Sequence, residues 1–306
     1  FARNSAEGSA PLLAVRNRDD KIVDARNDLS GFDEAVAEPF DAAVICTPAH
    51  LHIPMALQLA ERGVALLIEK PLSTTLNGID ELLSLVDQER IPAGVAYVMR
   101  HHQALSAMKR ALDSGRFGQP VQIVYFGGQH FPFHRPAYRD TYYAKRETGG
   151  GAIQDAITHI MNAAEWLTGP ITRLVADAEH CVLPDVDVED TVHVITRHGN
   201  VPGSFSLNQH QPPNENVLTV VCEKGTIRFD ACRHQWLSCI EADGEWKVEQ
   251  AFAMERDDMF INQANTFLDV LDGKANPACS LKEGLQTLKV NLATLQSVRA
   301  GEWVKL

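Results

Sequence analysis

Two stretches decide the fold: Val44-Ile-Cys-Thr-Pro-Ala-His-Leu-His52 and Val64-Ala-Leu-Leu-Ile-Glu-Lys-Pro71. Each opens as an apolar run of strand length and ends in polar residues and proline. Between them Ile53, Leu57 and Ala60 recur at helical spacing, and Arg62-Gly63 closes the pattern. Apolar run, turn, amphipathic helix, glycine and apolar run is the layout of a βαβ unit with parallel strands. Ligands of such sheets bind at the carboxyl ends of the strands. Here those ends carry Thr47, Pro48, Glu69, Lys70 and Pro71.

A chain of 306 residues is long enough for two domains with a cleft between them, and 45% hydrophobic with 22% charged residues is ordinary for a globular protein. The net charge of −12, from 40 acidic and 28 basic residues, argues against nucleic acid or an anionic membrane as partner, because both require a basic footprint. A local basic pocket remains compatible with it. The cysteines (Cys46, Cys181, Cys222, Cys232, Cys239, Cys279) contain no C-x-x-C pair and sit mostly in apolar or mixed strand contexts. Reduced thiols and a cytoplasmic location are the expectation. No apolar run has the length of a membrane span, and no signal-peptide pattern opens the sequence. His101, His102, His130 and His134 lack zinc-site spacing, so no metal is expected.

Residues 12–18 read as a short strand, 31–38 as a helix, 79–86 as a helix and 91–98 as a strand. That last strand leads into Tyr97, Met99 and Arg100, of which Tyr97 and Arg100 are candidate substrate contacts. A helix follows to about Ser114, and the domain change is placed near residue 98, giving units 1–98 and 99–306. From Val121 onward the strands (121–126, 171–178, 191–197, 203–208, 218–223, 226–229, 236–240) are short and partly alternating. They predict a mainly antiparallel sheet with one face covered by helix. Residues 260–271 and 281–298 close the chain as helices.

The second informative stretch is Gly149-Gly-Gly-Ala-Ile-Gln-Asp155-Ala-Ile-Thr-His159-Ile-Met-Asn162. Asp155, His159 and Asn162 stand at i, i+4 and i+7, one face of an α-helix, while Ile153, Ile157, Ile160, Ala164 and Leu167 line the other. The glycines allow a ligand to approach the backbone closely, and the free N–H groups of a helix start can meet a polar group. By itself such a pair also reads as an ordinary polar helix face.

Together, Thr47-Pro48-Ala49-His50-Leu51-His52, Glu69-Lys70-Pro71 and G-G-G-x-x-x-Asp155-x-x-x-His159 resemble the pattern of the Gfo/Idh/MocA family, NAD(P)-dependent oxidoreductases acting mainly on sugars and polyols. The resemblance implies an α/β chain: a Rossmann-type parallel-sheet domain, then an α+β domain with a large, mainly antiparallel open sheet. It implies NAD or NADP held by Thr47, Pro48, His52, Glu69, Lys70 and Pro71, and catalysis by Lys70, Asp155 and His159 facing the nicotinamide. Ile157 and Asn162 depart from the family, which often has glycine and an acidic residue there. Residues 12–18 then correspond to the second strand, and the first βα unit with its G-x-G-x-x-G turn, roughly 25 residues of a ~30-residue βαβ unit, is absent from the sequence. The second strand's end meets the adenosine ribose, and Arg16, Asn17 and Arg18 there favour NADP over NAD. The run from Phe131 to Gly149 is similar to a subgroup with Tyr-Arg…Tyr-x-x-Lys before the glycines, often found in surface-polysaccharide or unusual-sugar pathways. It implies substrate contacts by Arg139, Tyr143 and Lys145. The family's open sheet face commonly self-associates, which implies a homodimer or homotetramer.

Oxidising a secondary alcohol requires a proton acceptor near working pH while hydride leaves for the nicotinamide. A histidine begins at about 6.5 and a lysine at about 10.4. Lys70 and His159 are expected to share proton transfer and carbonyl polarisation, with Asp155 orienting the imidazole. The substrate expected is a sugar, polyol or nucleotide-linked sugar. The alternatives are a redox-neutral NAD-using sugar enzyme of epimerase or glycosidase type, and a non-catalytic binding or regulatory member.

Overall fold

The computed structural model of the chain describes residues 13–15, 27–29, 31–37 and 39–306. Strands β1 (Leu13–Val15) and β2 (Asn27–Leu29) pair in parallel, and α1 (Phe32–Ala37) follows. Strands β3 (Ala42–Ile45), β4 (Ala65–Glu69) and β5 (Ala93–Ala96) form a parallel sheet in that order. Helices α2 (His52–Ala60) and α3 (Ile79–Glu89) make the crossovers. The apolar runs are buried as their lack of alternation requires: Leu66 and Ile68 are both 0% exposed, each worth roughly 1.5–3 kcal/mol in removed apolar surface. Ile53, Ala56 and Leu59 are the buried stripe of α2, and Gly63, at φ 74°, turns the chain into β4.

After a 3₁₀ turn at Val98–His101 comes α4 (Gln103–Asp113), then β6 (Pro120–Gly128) and the one-turn α5 (Phe131–His134). A π-helical segment, Ala152–Ile157, runs into α6 (Thr158–Thr168). The remaining elements are β7 (Arg173–Glu179), β8 (Thr191–His198), β9 (Val201–Asn208), β10 (Glu215–Cys222), β11 (Gly225–Asp230), β12 (Gln235–Cys239), β13 (Lys247–Ala251), α7 (Asp258–Leu271), α8 (Leu281–Ala300) and β14 (Val304–Lys305). The nine-stranded sheet has the order β13-β12-β11-β10-β6-β9-β8-β7-β14, with β6 and β9 its parallel pair. Ile123, Tyr125, Val192, Val194, Phe205, Leu218 and Val220 alternate onto the inner face, where they pack with Leu105 and Met108 of α4, Ile160 of α6 and Val290 of α8. Among the described residues no helix covers the sheet's outer face, where Phe126 and Ile195 are exposed.

Two closing helices cross back to the parallel sheet. Phe267 of α7 packs on Ala65, Leu67 and Ala96, while Leu281 and Leu288 of α8 join the core of Ile53, Leu66 and Ile68. The unit expected as 99–306 therefore supplies core residues to the unit expected as 1–98. Gly94 shows how close the contact is: a Cβ there would stand 2.9 Å from the Pro277 Cβ. Ser280 and Glu283 form a capping box at the start of α8, each satisfying the other's backbone N–H. Strands β2, β13 and β14 have no counterpart among the strands expected from the sequence. They hold 3, 5 and 2 residues, and β13 is exposed along nearly its whole length, so no burial pattern marks it.

Candidate functional site

The ends of β3 and β4 are clipped together by His52, buried on α2. Its Nε2 stands 2.7 Å from the Thr47 carbonyl and its Nδ1 3.0 Å from that of Pro71. A neutral ring donates to only one of them, and burial holds the imidazole pKa below its usual value. His52 thus joins the two loops rather than facing a ligand. The Thr47 hydroxyl donates to the Met55 sulfur at 3.4 Å. Arg16 and Asn17 lie outside the described residues.

A cleft of about 1010 Å³ opens between the end of β4 and the inner face of the large sheet. Glu69, Lys70, Tyr142, Tyr143, Asp155 and His159 are among its lining residues; Thr47, Pro48, His52 and Pro71 are not. Lys70 leaves β4 and reaches across to the π-helical segment. Its Nζ donates to Asp155 Oδ1 at 2.7 Å and to the Asp155 carbonyl at 2.9 Å. Burial alone lowers an ammonium pKa, but the Asp155 carboxylate outweighs it and Lys70 is held above its usual value. Burial likewise raises Asp155, and the Lys70 charge outweighs it, so this carboxyl lies below its ordinary range. Glu69 accepts the Lys70 backbone N–H at 3.1 Å and is pushed up, chiefly by burial.

His159 lies on the same cleft in the opposite condition. Burial, reinforced by the Lys70 charge, lowers its pKa to about 3. Its buried Nδ1 has no hydrogen-bond partner among the described residues. The expectation that Asp155 orients this imidazole is therefore corrected: Asp155 bonds Lys70 and Tyr142. The segment holding Asp155 is π-helical, and its wider turn shifts the angular step that an α-helix would impose between i and i+4. Asn162 has turned off the cleft altogether; it accepts from Arg100 Nε at 2.8 Å and donates to Thr287 at 2.9 Å.

Arg100, expected at the substrate, is buried in that same polar core, where it also bonds the Ala278 carbonyl and Glu283. It ties the start of α8 to α6, and Trp166 stacks over its guanidinium. Tyr97 lies behind His159, ring edge to ring at 6.2 Å, with its hydroxyl on Thr158 at 3.1 Å. Arg139 pairs with Asp185 at 3.2 Å, and neither Arg139 nor Lys145 lines the cleft. Tyr143 does line it, buried, with its hydroxyl donated to Gln209.

The glycine triplet is occupied by protein rather than left open to a ligand. A Cβ on Gly149 would meet Ala49 at 3.1 Å, one on Gly150 the Tyr143 carbonyl at 2.1 Å, and one on Gly151 the Glu189 carboxylate at 2.5 Å. The helix start is filled as well, since Glu189 accepts from Ala152 N at 2.9 Å and Ile153 N at 3.0 Å. The signal for this closure, an acidic residue some forty positions downstream, has no fixed spacing.

Tyr142 is not among the site residues expected from the sequence, where the Tyr142-Tyr143 pair reads equally well as packing. The Tyr142 hydroxyl donates to Asp155 Oδ1 at 2.7 Å, the same oxygen that Lys70 holds. Burial is the main cause that raises its pKa, to about 12. Tyr142 and Tyr143 are neighbours in one 3₁₀ turn and point to different partners, a distinction their identities do not reveal.

Two family profiles match the chain: "Oxidoreductase family, NAD-binding Rossmann fold" over residues 10–97, and "GFO/IDH/MocA C-terminal domain" over residues 105–228. The 1,5-anhydro-D-fructose reductase of Ensifer adhaerens is 30% identical over 281 residues, covering 90% of this chain and 82% of that protein. Inositol 2-dehydrogenase of Rhizobium meliloti (strain 1021) is 24% identical, with 87% and 80% covered. Among solved structures, levoglucosan dehydrogenase in complex with NADH and levoglucosan superposes with a TM-score of 0.83 at 20% identity, covering 92% of this chain and 84% of that one.

Proposed function

The chain belongs to the Gfo/Idh/MocA family of NAD(P)-dependent oxidoreductases, and from that premise we propose that it transfers hydride at a secondary alcohol or ketone of a sugar or polyol in the cleft beside Lys70. The observation that carries the reading is the Lys70–Asp155 pair at 2.7 Å, standing where a parallel strand ends and sharing its cleft with His159. The sugar-directed relatives, a fructose-derivative reductase and an inositol dehydrogenase, support the substrate class.

The cleft suits a nicotinamide: the end of β4 opens into about 1010 Å³ that no side chain fills, above the size of a common small-ligand pocket. Glu69 and Lys70 would flank the nicotinamide end, with Thr47 and Pro48 on the adjoining strand end. When bound, the cofactor supplies or takes the hydride. Lys70, kept as an ammonium by Asp155, donates a proton to the carbonyl oxygen in reduction and receives it back in oxidation. His159, kept neutral, hydrogen-bonds the same oxygen and limits its position. Arg16 and Arg18 are the sequence features that favour NADP over NAD. The exposed Phe126 (42%) and Ile195 (53%) on the sheet's helix-free face support self-association. The unpaired cysteines and the acidic net charge suit the cytoplasm.

The test uses the full-length protein with NAD and NADP, in both oxidation states, and a panel of 1,5-anhydro-D-fructose, levoglucosan, inositol and D-xylose. A steady change in nicotinamide absorbance that disappears in Lys70→Ala is the expected result. Nicotinamide binding without net turnover of any sugar in either direction would replace this reading with a redox-neutral one.

A further inference from the structure

Lys70 has a supply problem once a substrate is bound. Its side chain is only 11% exposed, and whatever it protonates in the cleft covers that remaining access. Each reductive turnover takes one proton from Nζ, so a route back from solvent is needed. Asp155 stands between Lys70 and a second donor, and both hydrogen bonds, 2.7 Å each, meet on the single oxygen Oδ1. That second donor, Tyr142, is 44% exposed. It lies on a 3₁₀ turn fixed in place by Thr148, whose hydroxyl donates to the Tyr142 carbonyl at 2.7 Å.

We propose that Tyr142 and Asp155 form a proton relay that reloads Lys70 from solvent while substrate and cofactor close the cleft. The proposal rests on the reading of Lys70 as the proton-exchanging group. In reduction, hydride from the reduced nicotinamide bonds to the carbonyl carbon, the carbonyl π pair takes a proton from Nζ, and Lys70 becomes a neutral amine. Asp155 Oδ1 then takes the phenolic proton, becoming a transient neutral carboxyl, and passes that proton to the amine lone pair of Nζ, which restores the carboxylate. The Tyr142 oxygen regains a proton from water, so one proton is taken up from solution per turnover. In oxidation every transfer reverses.

The geometry favours transfer over simple support. Tyr142 has one hydroxyl proton, and it is directed at Oδ1; the oxygen's lone pairs remain for a donor on the open side. The charged and titratable groups facing the chain are Glu69 from β4, His159 from α6, Arg135 from the turn after α5, and Tyr143, which feels Asp155 but donates its hydroxyl to Gln209. Arg135 lies close enough to stabilise a transient phenolate and to disfavour a charged His159. Neither Glu69 nor His159 hydrogen-bonds Asp155 among the described residues, so Tyr142 is the continuation of the chain toward solvent.

Three variants separate a relay from a prop. Tyr142→Phe removes both the hydrogen bond and the proton path. Tyr142→Gln restores a donor to Asp155 but cannot pass a proton along. Tyr142→His can do both. In rapid-mixing reduction of 1,5-anhydro-D-fructose, Phe and Gln are expected to complete a first turnover within about twofold of the wild-type rate. They then slow by about tenfold to a hundredfold, with proton uptake, followed by an indicator dye, lagging behind nicotinamide oxidation. His restores steady turnover. In the cofactor-free protein, the Lys70 ammonium protons exchange with water more slowly in Phe and Gln than in wild type, read by NMR at equal pH.

Unchanged steady turnover in Phe, or full rescue by Gln, would overturn the relay and leave Tyr142 as a support for Asp155. Should Phe lose its thermal transition, Gln against His decides alone. If the wild type turns over no sugar of the panel, the enzymatic reading falls, while the ammonium exchange rates still judge the relay.

Discussion

Lys70 and His159 occupy one cleft, yet the protein drives them in opposite directions. Both are buried, and burial disfavours the charged form of each. Lys70 has a carboxylate at 2.7 Å and stays charged; His159 has no such bond among the described residues, feels Lys70's charge, and stays neutral. A pair of titratable groups forced apart in this way marks a division of labour between acid and hydrogen-bonding partner. It also shows that burial is not the last word on protonation: a carboxylate within hydrogen-bond reach overrides it at Lys70, whereas it prevails at His159.

Breaking the charged half should have the largest effect. Lys70→Ala is expected to lower turnover by about a thousandfold, the middle of the range for a positioned acid or base, with thermal unfolding still cooperative. A variant within tenfold of wild type would end Lys70's claim to the proton.

Asp155→Asn attacks the cause rather than the group, and turnover should fall by about a hundredfold. With the carboxylate gone, burial of Lys70 loses its main opponent, leaving only Tyr142 and Glu69 against it, and the pKa drops. The ammonium is then lost as pH rises through a lower value, so the alkaline limb of the reductive pH profile moves to lower pH. A profile that keeps its alkaline limb in place would mean that Asp155 does not set Lys70's charge.

Little of this opposition could be read from residue order, although much of the framework could. Uninterrupted apolar runs such as Ala65–Glu69 admit few readings other than a buried parallel strand, and Lys70, Asp155 and His159 do meet at one cleft. The partners were less legible. Asp155 and His159 are four positions apart, but the segment holding Asp155 is π-helical and its carboxylate serves Lys70 instead. Arg100 follows a strand end, as a ligand-binding arginine would, but its acceptors at Ala278 and Glu283 lie far along the chain. Glu189 fills the space that the glycines promised to a ligand, again through a distant contact. Local periodicity reports which face is apolar, whereas long-range polar pairing depends on packing that no short window contains.

The neutral half of the comparison should matter less to rate. His159→Gln keeps a hydrogen-bonding side chain and is expected to cost about tenfold in turnover. In the wild type the His159 ring should show no titration between about pH 5 and 8 by NMR, since about 3 is where burial and Lys70 place it. A midpoint near the ordinary histidine value of about 6.5 would mean that the ring is solvated.

The smallest expected effect is on stability, and its sign follows from the same burial. A histidine whose folded pKa lies below its unfolded value contributes stability above about pH 6.5, where both states are neutral. That contribution is lost as pH falls toward the folded pKa, because only the unfolded chain then takes up the proton. His159, at about 3, shares this behaviour with His101 and His102, both at about 4, and with His52 and His198, which are also lowered. Asp155 is depressed too, but as a carboxyl its contribution begins to fail only near its unfolded value of about 3.9. The histidines should therefore pull the melting temperature down from about pH 6.5 to 4, joined toward the lower end by the depressed Glu249 and Glu283 and opposed there by the raised Glu69 and Glu165. His159→Gln should flatten that slope by one histidine's share, a few degrees at most, while leaving the melting temperature above pH 7 nearly unchanged. An unaltered slope in this variant would show that the unfolded chain gains nothing by protonating His159, and hence that the imidazole is not held neutral in the fold.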